Sequence, residues 1–251
     1  MTWVETTSPH FAARHDEADA HDVVGVLELL EGTRARLAAD FPSVPDTVDV
    51  IVHSSRAQLD LAAPYLPLVR RLTAPAARRY LVGWFGRSEI HVLAPRLLAA
   101  SASHVPGSRE LNLLAPAALY AHVVIGASNP RLPPPFTPRA FRRYPRWAWL
   151  AAGGAQWLSG QTEHARPAIA RRLHEGTKPS FPPGIRDAQL LGGTVLDLLA
   201  REEGDEACLE LLLSPLPRDP RGVLREAFGR RSLKHTEAAW RGHLRRLSGS
   251  S

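Results

Sequence analysis

The chain has 251 residues, of which 44% are hydrophobic, so it can bury one substantial core or two modest lobes but not several independent domains. Its formal net charge is +6, and its single cysteine excludes an internal disulfide framework and a multi-cysteine zinc site. The sequence shows neither a basic region followed by an apolar run at its start nor an apolar stretch long enough to cross a bilayer, so we expect a cytoplasmic protein with no membrane partner.

The first segments predict an alternating order of strands and helices. Residues 9–15 alternate in polarity as a strand does, and residues 18–40 place apolar side chains at helical spacing. Residues 48–53 are a β-branched run that predicts a second strand, and Ser54 or Ser55 after it suits the cap of the next helix. This part of the chain therefore predicts a small α/β unit.

A β-hairpin and then a series of helices are predicted next. Residues 80–85 and 89–94 both favour strands, and they flank a turn at residues 86–88. Residues 111–125 form a strongly apolar helical run, after which the pattern predicts helices alone. These helices are expected at residues 149–159, 164–174, 187–203, 205–213, 220–228 and 232–247.

A proline-rich connection divides the chain. Residues 129–138 contain five prolines, which predicts a rigid, non-helical link. The order of elements predicts an α+β fold with two lobes. The first, residues 1–128, is a mixed α/β lobe with a small sheet that ends in a junction helix. The second, residues 139–248, is all-helical.

The basic residues are scattered between acidic ones except near the C-terminus, from Arg218 to Arg246. A nucleic-acid-binding surface needs a coherent basic stripe and preferably aromatic residues within it, whereas these arginines alternate with leucines that suit a helix core. We interpret them as solvated faces of helices instead of a phosphate-binding surface. We therefore expect no nucleic-acid partner.

Several short strings follow one another along nearly the whole chain. They are Ser8-Pro9-His10-Phe11, Glu89-Ile90-His91-Val92-Leu93, His122-Val123-Val124, the segment from Trp149 to Gly160, Gly204-Asp205-Glu206-Ala207 and Ala227-Phe228-Gly229. In this order, together with the order of the predicted elements, they resemble the bacterial peptidase MA-like families, which are zinc metallopeptidases of the gluzincin type. The resemblance implies a zincin-like fold.

The resemblance also implies where a zinc site would lie. In such enzymes an H-E-x-x-H helix supplies two histidine ligands and a glutamate base, and a later helix supplies the third ligand. The corresponding string has Ala118 at the first histidine, Leu119 at the base and His122 at the second histidine. The W-L-x-E-G pattern puts Ala152 at the third ligand. The resemblance therefore implies a degenerate site without a metal or other cofactor.

His122 and four further residues are candidates for a surface inherited from that site. We favour a core position for His122, where one backbone partner satisfies a neutral imidazole, over a remnant ligand. Tryptophans near the junction helix are likewise more typical of a core than of a groove. The possible cleft or peptide-binding residues are Glu89, His91, Trp149 and Gln156.

Two glycine pairs lie within predicted helices. Each glycine costs about 1 kcal/mol relative to alanine, so at Gly153-Gly154 either close helix packing offsets the cost or the helix breaks. Gly192-Gly193-Thr194 lacks the remaining glycines and the lysine of a phosphate loop. The string around Ser159 lacks the first glycine of a nucleophile elbow. Neither string predicts an active site.

We expect a catalytically inactive metallopeptidase-like protein that binds a peptide or protein segment in the former substrate cleft, by strand addition along residues 88–93. An active hydrolase or metallopeptidase with displaced ligands is the alternative. A purely structural role in an assembly is a third hypothesis. Cys208 lies in an apolar helical run and is expected to be a buried structural thiol.

Overall fold

The computed structural model shows an α+β fold, and it describes residues 2–64, 82–132, 138–175, 177–216 and 219–249. The strands are β1 (Trp3–Thr7), β2 (Phe11–Asp16), β3 (Val48–His53), β4 (Gly83–Phe85) and β5 (Glu89–Leu93). The helices are α1 (Ala20–Asp40), α2 (Arg56–Ala62), α3 (Pro95–Ala100), α4 (Ser108–Leu113), α5 (Ala115–Ser128), α6 (Pro138–Leu158), α7 (Gln161–His164), α8 (Arg166–His174), α9 (Ile185–Glu203), α10 (Asp205–Leu213), α11 (Pro220–Ala227) and α12 (Leu233–Ser248). The start of the predicted hairpin at residues 80–81 and residues 133–137 of the proline-rich link lie outside the described residues.

The five strands form one mixed sheet in the order β1-β2-β3-β5-β4. The central pairs β2–β3 and β3–β5 are parallel, and the outer pairs β1–β2 and β4–β5 are antiparallel. The sequence predicts β2, β3 and the β4–β5 hairpin. It misses β1, because the residues of this strand are exposed on one face and only half-buried on the other, which leaves a weak apolar signal.

Strand β5 is internal, which corrects the expected site of strand addition. Its residue Ile90 is paired with Val50 of β3 on one side and with Phe85 of β4 on the other. A strand with both neighbours in place has no edge on which to accept a peptide. The hairpin turn folds β4 against β5, so strand addition along residues 88–93 is wrong. Among the described strands, β1 and β4 take the two edge positions, and β4 is the edge strand next to β5.

One face of the sheet packs against α1 and α5. Helix α1 contributes the buried residues Val23, Leu27 and Leu30, which recur at helical spacing. The ring of Tyr120 in α5 meets the ring of Phe11 in β2 edge-on, with centroids 5.1 Å apart. Helices α1 and α5 therefore pack against the apolar side chains on this face of the sheet.

The apolar run at residues 111–125 forms two helices instead of one. Helix α4 ends at Leu113, and α5 begins at Ala115 with Pro116 in its first turn. Proline has no N–H to donate to the carbonyl of Asn112, so the hydrogen-bond ladder is interrupted there. At the start of α5 that missing donor costs nothing, because first-turn N–H groups have no helical partner.

Glycines allow α6 and α9 to pack in backbone contact. A Cβ added to Gly153 would lie 2.5 Å from the Gly192 carbonyl, and one added to Gly192 would lie 2.5 Å from the Trp149 carbonyl. Gly154 faces Leu212 of α10 and Ile125 of α5 in the same way. Helix α6 continues through both glycines. Close packing is therefore the correct interpretation of Gly153-Gly154.

The buried apolar residues of the sheet and of the later helices belong to one continuous core. Cys208 is fully buried in it, and its thiol donates a hydrogen bond to the Leu196 carbonyl at 3.2 Å. Burial raises the pKa of this thiol to about 12, so it is a structural residue and not a nucleophile. Among the described helices, none combines the length and apolar character that a membrane crossing requires.

Candidate functional site

Helix α5 lies directly against the edge strand β4. A Cβ on Gly83 would lie 2.5 Å from Cδ1 of Leu119, so a glycine at this position allows the helix to approach the strand closely. One turn further along α5, the imidazole of His122 stacks on the ring of Phe85, with centroids 4.6 Å apart and planes 9° from parallel. Leu119 and His122 are three residues apart and share one face of the helix. Strand β4 covers that face.

His122 is half-buried, and its imidazole is packed against the edge strand β4. Burial nevertheless lowers the pKa of its imidazole to about 4. The ring is therefore neutral at neutral pH and offers an apolar face to Phe85. The side chain is packed against another ring beside the edge of the sheet, and the core position that the sequence favours stays a prediction.

The two helices on which the resemblance places a degenerate zinc site, α5 and α6, pack against each other through Ile125 and Gly154. Ala118 and Ala152 are both buried on these helices. With Leu119 and His122, they offer a single imidazole as a metal donor and no carboxylate. A catalytic zinc ion needs three protein ligands, so these residues do not fit the metal. Throughout the described part of the chain, no cluster of three or more His, Cys, Asp or Glu side chains could hold a metal ion.

A buried histidine pair, which the sequence analysis did not predict, lies on the other face of the sheet. His91 of β5 is level with Ile51 of β3, and His53 lies two residues after Ile51, so both histidines point to the same face. Nε2 of His53 and Nδ1 of His91 are hydrogen-bonded at 3.0 Å. Trp84 of β4 stacks on His91, with ring centroids 3.7 Å apart.

This pair is held in its neutral form. The exposed fraction is 5% for His53 and 9% for His91. Burial lowers the pKa of each imidazole to about 4. For His53, the neighbouring His91 lowers the pKa further. Nδ1 of His53 and Nε2 of His91 find no hydrogen-bond partner within the described part of the chain. A buried nitrogen without a partner is costly, and a buried charge there is costlier still.

The four predicted cleft residues lie in different surroundings. Glu89 is half-exposed, and its carboxylate lies 3.6 Å from Nε2 of the buried His91. Trp149 is 1% exposed and belongs to the core. Gln156 joins α6 to α9, because its side chain accepts a hydrogen bond from the Gly193 N–H at 3.0 Å and donates one to the Gln189 carbonyl. The structure therefore brings Glu89 and His91 together and places Trp149 and Gln156 elsewhere, in helix packing.

Comparison with known proteins gives no relative: no family model, curated protein or solved structure matches this chain. Its function must be inferred from its own residues.

Proposed function

We propose that this chain is a catalytically inactive protein with a zincin-like fold, related to the peptidase MA-like gluzincins, that binds a peptide or protein segment at the former substrate cleft. One observation carries the proposal. Ala118, Leu119 and Ala152 are aliphatic where a peptidase of this kind needs two ligands and a base, and the remaining imidazole, His122, is stacked on Phe85.

The order and packing of the elements support the fold in this proposal. A mixed sheet ends in an antiparallel strand, β4, and a long apolar helix, α5, lies beside that strand. A second helix, α6, packs on α5 and carries the predicted third ligand position. In the peptidases that the chain resembles, an H-E-x-x-H helix and a helix with a glutamate ligand lie beside a substrate-binding strand. Here α5, α6 and β4 would take these three places.

Partly exposed rings on the two faces of the edge strand β4 support the binding role, with Trp84 on one face and Phe85 beside His122 on the other. Trp84, Phe85 and His122 are each half-buried, and we call this set the aromatic edge. The rings are held in place by their neighbours, because Trp84 stacks on His91 and Phe85 stacks on His122. Aromatic side chains that are held rigidly and partly exposed are well suited to recognise peptide segments, since they bury a large area at a small entropic cost.

Selection of linear peptides from a displayed random library on the purified full chain tests the binding role. We expect enriched peptides whose affinity falls by about tenfold or more in Phe85→Ala, because a contacting ring is removed. The matched control is Leu61→Ala, which removes an exposed apolar side chain (74% exposed) on α2. Circular dichroism checks that both variants are folded. The binding role would be refuted if no peptide were enriched, or if the two variants bound the enriched peptides equally well.

A hydrolysis assay tests the absence of catalysis separately. Mixed fluorogenic peptides are incubated with the wild-type protein, with added zinc and with a chelator. The expected result is no turnover above the buffer rate in either condition, because the site offers no base and one donor. Turnover that the chelator abolishes would overturn the assignment in favour of a metallopeptidase with displaced ligands.

A further inference from the structure

A pocket of about 340 Å³ opens where the C-terminal ends of α8 and α12 meet. Its apolar part is formed by Leu173, Pro179 and Leu244, of which Pro179 and Leu244 are buried. Its polar lining includes Lys178 and Arg245, both of which are exposed. The pocket therefore combines an apolar floor with a basic rim. We call it the basic pocket.

The rim has an excess of positive charge. Three acidic side chains near these helices are already paired: Glu175 with Arg171, Asp187 with Arg172, and Glu237 with Arg241. Within the described part of the chain, neither Lys178 nor Arg245 has an ion-pair partner. The residues that line the pocket also include His174 and Ser248 but no carboxylate.

Arg241 fixes the shape of the basic pocket. Its guanidinium donates a hydrogen bond to the Pro179 carbonyl at 3.1 Å, which ties the loop after α8 to α12. It also pairs with Glu237, which lies one turn earlier on the same helix. Arg241 is therefore a structural clamp, and it leaves Lys178 and Arg245 to contribute the unbalanced charge.

Stabilisation of helix ends does not account for the whole arrangement. Basic residues in the last turn of a helix interact favourably with its negative end, and Arg245 is in that position on α12. Lys178, however, lies in the loop after α8 and is not one of the basic residues in the last turn of that helix. A role at helix ends also does not explain why basic side chains surround an apolar floor.

We propose that the basic pocket binds a small organic anion, with an apolar body against the partly exposed side chain of Leu173 and a phosphate or carboxylate group on Lys178 and Arg245. The volume is within the range of small-molecule sites, and burying an apolar body beside a charged group gives both affinity and orientation. This site lies on helices other than those of the aromatic edge. It is independent of the proposed peptide-binding role.

Isothermal titration of the full chain with phenyl phosphate at low salt tests the proposal. We expect saturable binding that weakens as salt is added, and weaker binding of inorganic phosphate, which lacks the ring. Lys178→Gln with Arg245→Gln should lower the affinity by about tenfold or more. The matched control is Arg221→Gln with Arg225→Gln, which removes the same charge from exposed positions on α11 and should leave binding within about twofold.

A further variant separates the floor from the rim. Leu173→Ala should weaken phenyl phosphate binding while leaving inorganic phosphate unaffected, because it removes apolar contact area alone. Three results would each overturn the proposal: no saturable binding to the wild-type protein, equal losses in the two double variants, or binding to vesicles that contain phosphatidic acid without binding to phenyl phosphate. The last would show attraction to an anionic surface instead of a site for a small molecule.

Discussion

His53 and His91 form a buried pair whose charged form is disfavoured. Their rings share one hydrogen bond, and each has a second nitrogen without a partner in the described part of the chain. The pKa of each ring is about 4 in the native state, against an ordinary value of 6.5. Between these values the unfolded chain binds more protons than the native protein. The stability that the neutral pair contributes is therefore fully present above pH 6.5 and is lost as the pH falls towards 4.

We predict that lowering the pH from 7 to 5 decreases the free energy of unfolding by about 2 kcal/mol for each of these two histidines. In His53→Leu with His91→Phe the decrease should be smaller, because both titrating rings are gone while an aromatic ring still stacks on Trp84. Urea unfolding at the two pH values measures the difference. The control His21→Gln, at an exposed position on α1, should keep the wild-type decrease. Equal decreases in wild type and the double variant would refute this origin of the pH dependence.

Individual residues of the candidate site can be predicted from the sequence only where they belong to a short local motif. Short strings predict Ala118, Leu119, His122 and Ala152 as degenerate positions, and this stays a prediction. The pairing of His53 with His91 could not be found in this way, because it depends on the register between two parallel strands that are far apart in sequence. Strand alternation gives the face on which a residue lies, but it does not give the neighbour across the ladder.

The secondary structure elements were predicted well where their periodicity is strong. Helix α1, strand β3 and helix α10 lie where the apolar pattern places them. Strand order was harder, since β5 is internal and β4 takes the edge, and the sequence contains no local signal for that choice. The partners of the helices are equally hidden: the sequence raises close packing at Gly153-Gly154 as one alternative, but it does not show that Gly192 lies opposite.

The contact between α6 and α9 gives a prediction about one glycine. Gly192→Ala should reduce the free energy of unfolding by about 1–3 kcal/mol, because its Cβ would lie 2.5 Å from the Trp149 carbonyl and the helices would have to separate. Gly32→Ala is the matched control, since a Cβ there meets nothing within 4 Å. It should instead stabilise the protein by up to about 1 kcal/mol through helix propensity. Urea unfolding measures both, and a stabilised Gly192→Ala would contradict the close contact.

The molecule as a whole has one core that passes from the sheet through α5 to the later helices. The sequence predicted the α+β class because strands come first and helices follow. The surface features that now suggest binding, the aromatic edge and the basic pocket, arise from residues distant in sequence. They could not be derived from composition, in which the same arginines were interpreted as solvated helix faces.

The zinc content of a restored variant tests most directly whether α5 and α6 hold a degenerate metal site. Ala118→His with Ala152→Glu would complete, around the native His122, three ligands of the gluzincin type. Ala117→His with Ala151→Glu places the same residue types at neighbouring buried alanines and is the control. Elemental analysis after dialysis, on protein shown by circular dichroism to be folded, should find about one zinc ion per chain in the first variant and only traces in the control and the wild type. Stoichiometric zinc in the wild type, or no more zinc in the restored variant than in its control, would contradict our interpretation.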